Sequence, residues 1–503
     1  MQPYSVERSI VEGELEVKEL FEYAQNNAGQ FEAYEMEKAV FARLMRIGLA
    51  AMKCYFAEKG TGDVGVELQL ENGKVLKKET LLHGRDYFSV FGKIKVPRTC
   101  YRIEGEKGVM PLDAQANLPE RCYSYLLQEW MDLFGIRESF GEAAISLKNP
   151  LGLDIKQSRF EVVDRESIND YDEFYKNKEL PAAKSEGELQ VMSFDGKGVP
   201  VIKKEAAKIQ ARLGKGEKRQ KKKEAMVGVD YTIDRKVCTP EEVAENLVYP
   251  EQARKKREEK RKEGVNAPTI RAKNVRRLAS LERSKRQVVD EIVSDARHRD
   301  PDNKRPLVVV MDGALCLWNL LISILAGLNW VGILDIIHVV EYLWKAGNAL
   351  HGERTPEARK WVYEHLLSTL QGRIGSVIGG LKQTLTKRKL KVGQRKALKE
   401  AITYFENHRE WMRYDEYLRA GYPIGSGVVE SSCGHIVKKR MEGTGRRWSI
   451  KGAESTLLLR SIYTSDDWNA YWQAHMHLER TKSYDNILKA VGYPHDYCDK
   501  KAA

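Results

Sequence analysis

Apolar residues recur at helical spacing over the first sixty residues. Val40, Leu44, Ile47, Ala51 and Tyr55 are three or four apart, so they form one stripe along a helix. Over 64–103 the period shortens. The run from Val64 to Leu70 and the segment Lys93 to Val96 predict short strands around the turn Glu71-Asn72-Gly73. From Pro119 the helical period returns, with one helix over Tyr123 to Leu133. Ser139-Phe140-Gly141-Glu142 is a capping-box sequence for a second helix, which Asn149-Pro150-Leu151-Gly152 ends. A third runs from about Asp154 to Glu166. Three short helices with a tight turn before the last have the pattern of a helix-turn-helix, with Lys156, Gln157, Ser158 and Arg159 placed to face a major groove. A small helical packing unit fits the same pattern equally well.

Residues 189–340 alternate strand and helix signals. Val191 to Asp195 predicts a strand, Val199 to Lys203 a partner for it, and Met226 to Ile233 a third. Leu307-Val308-Val309-Val310-Met311 is continuously apolar, as a strand covered on both faces requires. A helix over Ala314 to Ala326 and a strand over Trp330 to Leu334 follow. The apolar stretch Ala314 to Gly332 is interrupted by Asn319, Ser323, Gly327 and Asn329, so a buried helix and strand explain it better than a membrane span. Residues 342–420 read as helical and charged throughout, and the chain from Ile424 reads as helical. The last thirty residues carry little signal.

Charge and composition narrow the class. A chain of 503 residues implies several domains, and 42% hydrophobic with 31% charged residues is a soluble composition. The net charge of +12 suits a polyanionic partner without requiring one. Much of it lies in Lys203 to Lys223, and a second charged run, Arg254 to Arg286, predicts a solvated helix. Either is a solvated face or a grip on nucleic-acid backbone. The seven cysteines are scattered with no CxxC pair, which argues against a zinc ribbon or knuckle, gives no sign of a disulfide framework and suits a reducing cytoplasm. The start shows no secretory leader.

Three aspartates each close an apolar strand: Asp195, Asp312 and Asp335. Sites in open α/β sheets lie at the carboxyl ends of strands, and carboxylates gathered there repel one another unless cations separate them. Asp195-Gly196 and Asp312-Gly313 also have the form of simple turns, but two such pairs closing buried strands favour a site. In Gly425-Ser426-Gly427, Ser426 is positioned as a helix N-cap, which puts Glu430 in the first turn. Spacing alone leaves Glu430 open to a purely structural role. Lys438, Lys439 and Arg440 follow it, available for phosphates. Trp318, Trp330 and Trp344 read as core residues.

Three blocks resemble bacterial insertion-sequence transposases of the DDE superfamily, most closely the ISKra-type group: Ser193-Phe-Asp-Gly-Lys-Gly198, Val309-Val-Met-Asp-Gly-Ala-Leu315, and Gly425-Ser-Gly-Val-Val-Glu-Ser431 running on to Arg446-Arg-Trp-Ser449. Leu334 to Trp344 is similar to the strand-to-helix segment of those proteins. The resemblance spans roughly 85–475. It implies an α/β catalytic core, an RNase H-like mixed sheet flanked by helices, with an all-α insertion and a mainly helical amino-terminal DNA-binding region. The corresponding boundaries are 1–60 helical, 61–118 β-containing, 119–180 helix-turn-helix-like, 186–341 core with a charged insert over 203–300, 342–420 insertion, 421–475 core completion and 476–503 tail. It further implies Asp195, Asp312 and Glu430 as catalytic ligands of two Mg²⁺ ions, with Mn²⁺ able to substitute. Asp335 is open to two roles, fourth ligand or support; capping the next helix and orienting His338 suits the pattern better. Lys156, Arg159, Lys438, Lys439, Arg440, Arg446, Arg447 and Trp448 are the candidate DNA contacts. The expected partners are double-stranded DNA (transposon-end inverted repeats and target) and at least a second copy of the chain on that DNA, in the bacterial cytoplasm, with no membrane. The rivals are an RNase H-like nuclease that does not transfer strands and a non-catalytic domesticated DNA-binding relative.

Overall fold

A computed structural model of the chain describes residues 4–208, 222–263, 270–443 and 445–492. The chain divides into two compact units, Met1–Lys178 with Asp467–Ala503, and Glu179–Asp466.

The first unit opens with the helices Val6–Asn27 and Ala33–Lys59. Two small antiparallel sheets follow. Strands β1 (Glu67–Gln69), β2 (Val75–Lys78) and β5 (Tyr101–Arg102) form one in that order, while β3 (His83–Ser89) and β4 (Gly92–Arg98) form the other. The turn at Asn72-Gly73 therefore joins β1 to β2, not to Lys93–Val96 as the alternation suggested. That segment lies in β4, whose partner is β3 across the tight turn at Gly92 (φ +130°).

Three helices come next, Tyr125–Gly135, Phe140–Leu151 and Gln157–Ser167. Ser139 and Glu142 make the capping box, and Gly152 ends the second helix in the left-handed conformation (φ +68°). The third helix begins at Gln157, later than its sequence pattern, because Leu153 and Ile155 are spent on the core with Leu127, Met131, Leu147, Phe160 and Val163. Lys156, Gln157, Ser158 and Arg159 are left exposed. The helix Trp468–Ala490 belongs to the same unit: Trp468 Nε1 donates to Glu129 (3.1 Å), Tyr471 donates to the Ser167 carbonyl, and His475 meets Asp170 at 2.6 Å.

The second unit is built on a five-stranded mixed sheet, order β10-β9-β6-β7-β8. Its strands are β6 (Leu189–Pro200), β7 (Lys222–Ile233), β8 (Lys273–Ser280), β9 (Leu307–Met311) and β10 (Trp330–Leu334). The pairs β6–β7 and β7–β8 are antiparallel, whereas β6–β9 and β9–β10 are parallel. The helix Lys285–Arg299 lays Val288, Val289, Ile292 and Val293 on this sheet. It comes so near β7 that a side-chain carbon on Gly228 would sit 2.8 Å from Ile292. Between β10 and Arg419 the chain is helical: Ile336–His351, Pro356–Leu370, Ile374–Lys387, Val392–Asn407 and Tyr414–Arg419. Among the described residues no helix is long and apolar enough to cross a membrane.

Two expectations fail here for physical reasons. Val199 to Lys203 is not a partner strand, since β6 runs unbroken to Pro200, in register with β7 from Leu189↔Ile233 to Pro200↔Lys222. Nor is Arg254 to Arg286 one solvated helix. The helix ends at Lys262, and Lys273–Ser280 is the edge strand β8, its guanidinium groups partnered rather than solvated. Arg276 pairs with Glu291 (3.0 Å) and Arg277 Nε donates to Ser432 Oγ (3.2 Å). Of the basic run Lys203 to Lys223, residues 209–221 lie outside the described residues.

Asp132 and Asp164, from the first and third of the three helices, are both fully buried. Burial, and then the neighbouring Asp164 charge, holds the Asp132 carboxyl well above the usual carboxylate range. A raised folded-state value means that its stabilising contribution is complete below the unfolded value near 3.9 and is lost as pH rises through the folded value. Asp132→Asn keeps a hydrogen-bonding side chain without the ionisation. It is expected to melt a few degrees above the wild type at pH 8, with the gap closing towards pH 4, in thermal scans of the full chain. A gap that is constant with pH would contradict this.

Candidate active site

The parallel half of the sheet brings the acids together. The last residues of β9 and β10 are in register, Met311↔Leu334, so Asp312 and Asp335 emerge side by side, and the Asp335 amide donates to the Met311 carbonyl (2.7 Å). In the β6–β9 pair Met192 lies opposite Val309, and Asp195 and Asp312 each come three residues later. Three adjacent parallel strands thus deliver three aspartates to one edge, the carboxyl-terminal edge where such sheets bind ligands.

Each carboxylate is held differently. Asp195 is not in a turn: it sits within β6 opposite Val227. Its Oδ1 accepts from the Gly196 amide (2.6 Å) and its Oδ2 from the Cys433 thiol (3.2 Å). Asp312 does make the turn its Gly313 suggested, with Oδ1 accepting from the Ala314 amide (3.0 Å), and also ends its strand. Gly313 is required by its neighbour, since a side-chain carbon there would lie 2.4 Å from the Tyr404 ring. Asp335 is fully buried and both its oxygens are engaged. Oδ1 caps the helix Ile336–His351 through the Ile337 amide (2.9 Å), and Oδ2 accepts from the Ser426 hydroxyl. His338 hydrogen-bonds Glu341 through Nδ1 (3.2 Å), so Asp335 caps the helix as expected but does not take that nitrogen.

Glu430 arrives on the short helix Gly427–Ser432, anchored before its start where the Ile336 amide donates to the Ile424 carbonyl (2.9 Å). Ser426 occupies the N-cap position, yet its side chain caps nothing, because its hydroxyl is committed to Asp335. Ligand atoms of Asp335, His338 and Glu430 all lie within 4.8 Å of one another. The chain then widens into a π-helical turn, Cys433–Lys438, a feature common at functional sites. That turn carries Cys433 onto Asp195. Arg460 donates to the His435 and Ile436 carbonyls of the same turn.

Burial raises the proton affinity of Asp312, the Ala314 amide opposes it, and the Asp195 and Asp335 charges add to it. Partial desolvation, then Asp335 and Asp195, raise Glu430 likewise, with His338 opposing. Hard oxygen donors that raise one another's proton affinity have the chemistry of a divalent-cation site. Cys433 and Tyr404 were not anticipated, and Ser426 was expected only as an N-cap, not as the partner of Asp335. Cys433 left a trace in the sequence, three residues after Glu430 and so on the same side of its helix.

The candidate nucleic-acid contacts divide. Lys438, Lys439 and Arg447 are exposed, with Lys439 donating to His435 (2.9 Å). Arg440 is buried, its guanidinium 4.5 Å from the centre of the Trp448 ring, and so is not available for phosphates. Trp448 is buried too: its indole donates to the Met441 carbonyl (3.3 Å), and its backbone bonds to Pro200, the last residue of β6, and to Ile202 just after it. It is a packing residue rather than a stacking platform. Arg446 donates to the Arg440 carbonyl (2.9 Å) and steadies the same corner.

Ser426→Ala removes the hydroxyl partner of a buried carboxylate, at a cost of about 1–3 kcal/mol. A lower melting temperature is expected, together with loosening at the start of the Ile336–His351 helix. Hydrogen exchange of the Ile336 and Ile337 amides checks it; unchanged protection would show that Asp335 is held without Ser426.

No protein-family model matches the chain, and no curated protein matches it.

Proposed function

We propose that the Glu179–Asp466 unit is an RNase H-like core and that the chain is a DDE transposase, cutting DNA at the ends of an insertion sequence and joining those ends to target DNA in the bacterial cytoplasm. The observation that carries this reading is the delivery of Asp195, Asp312 and Asp335 to one sheet edge by three adjacent parallel strands, with Glu430 brought beside them. Asp195, Asp312 and Glu430 are the ligands, suited to Mg²⁺ or Mn²⁺. Two such ions, when bound, activate the attacking oxygen and stabilise the leaving one.

The chain's own residues do the rest. Asp335, through the Ile337 amide and the Ser426 hydroxyl, fixes the helix that carries His338 and the loop that leads to Glu430. Cys433 turns the Asp195 carboxylate by donating to Oδ2. Lys438, Lys439 and Arg447 are exposed beyond the Glu430 helix, where they would meet phosphates, and the helical region over 342–420 corresponds to the family's insertion. Lys156 and Arg159, exposed at the start of the helix Gln157–Ser167, are assigned to base recognition at the element's ends.

Incubating the protein with a pre-cleaved end, a plasmid and Mg²⁺ tests the function. Joined product supports a transposase. Cleavage without joining would make it a nuclease, and neither reaction, with DNA still bound, would make it a non-catalytic binding protein. Within that assay Glu430→Gln is expected to lose several orders of magnitude in rate while still binding DNA. Asp335→Asn should lose roughly 10–100-fold, as outer-shell partners do, with partial recovery in Mn²⁺. Near-normal cleavage by Glu430→Gln would remove that residue from the ligand set.

A further inference from the structure

The amino-terminal helices leave uncovered the apolar stripe that the sequence marks as a packing surface. Leu44, Ala51 and Tyr55 of that stripe face solvent, and Phe41, beside its first residue, is exposed as well. On the neighbouring helix Ile10, Val17 and Phe21 are exposed at spacings of seven and four, so they too share one face. The two stripes meet in an open, apolar-lined groove of about 470 Å³ between Ile10, Gly13 and Val17 on one side and Ile47, Ala51 and Cys54 on the other. A solvated hairpin with Phe21 65% and Leu44 49% exposed presents a surface that soluble proteins ordinarily cover.

We propose that this face is the interface with a second copy of the chain, the two hairpins closing into a four-helix bundle. Charge is the first reason. The helix Val6–Asn27 carries Glu7, Glu12, Glu14, Glu16, Glu19 and Glu22 against Arg8 and Lys18. The helix Ala33–Lys59 has a basic excess, with Lys38, Arg43, Arg46, Lys53 and Lys59 against Glu35, Glu37 and Glu58. Attraction between the two already operates within the hairpin, in Glu16–Arg46 (2.8 Å) and Glu12–Lys53 (2.6 Å). With the acidic helix of each copy laid against the basic helix of the other, a two-fold axis makes that attraction twice. Glu14, on the rim of the apolar groove with no ion pair among the described residues, then gains a cationic neighbour.

Area is the second reason. At 1.5 Å per residue the shorter helix is about 33 Å long, and two helices side by side are about 20 Å wide. The face thus offers roughly 660 Å² per copy, or about 1,300 Å² in all, within the range of specific interfaces. An acidic helix on this face argues against nucleic acid as the occupant. The proposal is independent of the metal-site reading.

Sedimentation velocity of the full chain, without DNA or metal, tests it. A species near twice 57.6 kDa is expected at micromolar concentration. Val17→Glu with Leu44→Glu should give the monomer, with unchanged circular dichroism and melting temperature when measured as monomer, because both side chains are exposed within one copy. Glu14→Lys alone should weaken the dimer at least several-fold. A wild type that stays monomeric would overturn the proposal and leave the face to a different partner. A dimer that survives the double substitution would overturn it as well, by locating the contact elsewhere.

Discussion

The structure of the Glu179–Asp466 unit depends on the cost of collecting carboxylates at one edge of a sheet. Asp195, Asp312, Asp335 and Glu430 raise one another's free energy when ionised, and burial adds to the cost at Asp312 and Glu430. The protein meets this cost locally by donating hydrogen bonds to each aspartate: from Gly196 and Cys433, from Ala314, and from Ile337 and Ser426. Glu430 alone keeps an exposed position, on a short helix whose start is pinned by Ile424. On the proposed reading, the part of that cost still carried by Asp312 and Glu430 is what a bound cation would relieve.

Burial separates Asp335 from the other acids: Asp335 is fully buried, with its oxygens on a helix amide and a buried hydroxyl, whereas Asp195 and Asp312 are half-buried and Glu430 is exposed. Asp335 is therefore placed to hold the loop before Glu430 against the start of the Ile336–His351 helix.

Much of this was legible in the sequence because strand hydrophobicity and strand-end acids are local signals. Leu307–Met311 and Trp330–Leu334 read correctly, and their parallel pairing makes the positions of Asp312 and Asp335 equivalent. What failed was non-local. Lys273–Ser280 looked solvated because Arg276 and Arg277 are charged, and their partners, Glu291 and the distant Ser432 and Thr464, are invisible in the local pattern. Trp448 and Arg440 looked like surface contacts because stacking on each other is invisible in either residue alone. The stripe through Leu44, Ala51 and Tyr55 was legible as a packing face, but the sequence could not say that these residues stay exposed in the folded unit.

The most direct measurement is calorimetric titration of the full chain with Mn²⁺ near pH 6, in buffers of different ionisation enthalpy. If the raised proton affinities of Asp312 and Glu430 reflect a site built for cations, saturable binding should release protons, and Asp312→Asn should abolish or sharply weaken it. Saturable binding that ignores Asp312→Asn, or no binding at all, would contradict the reading of this sheet edge as a metal centre.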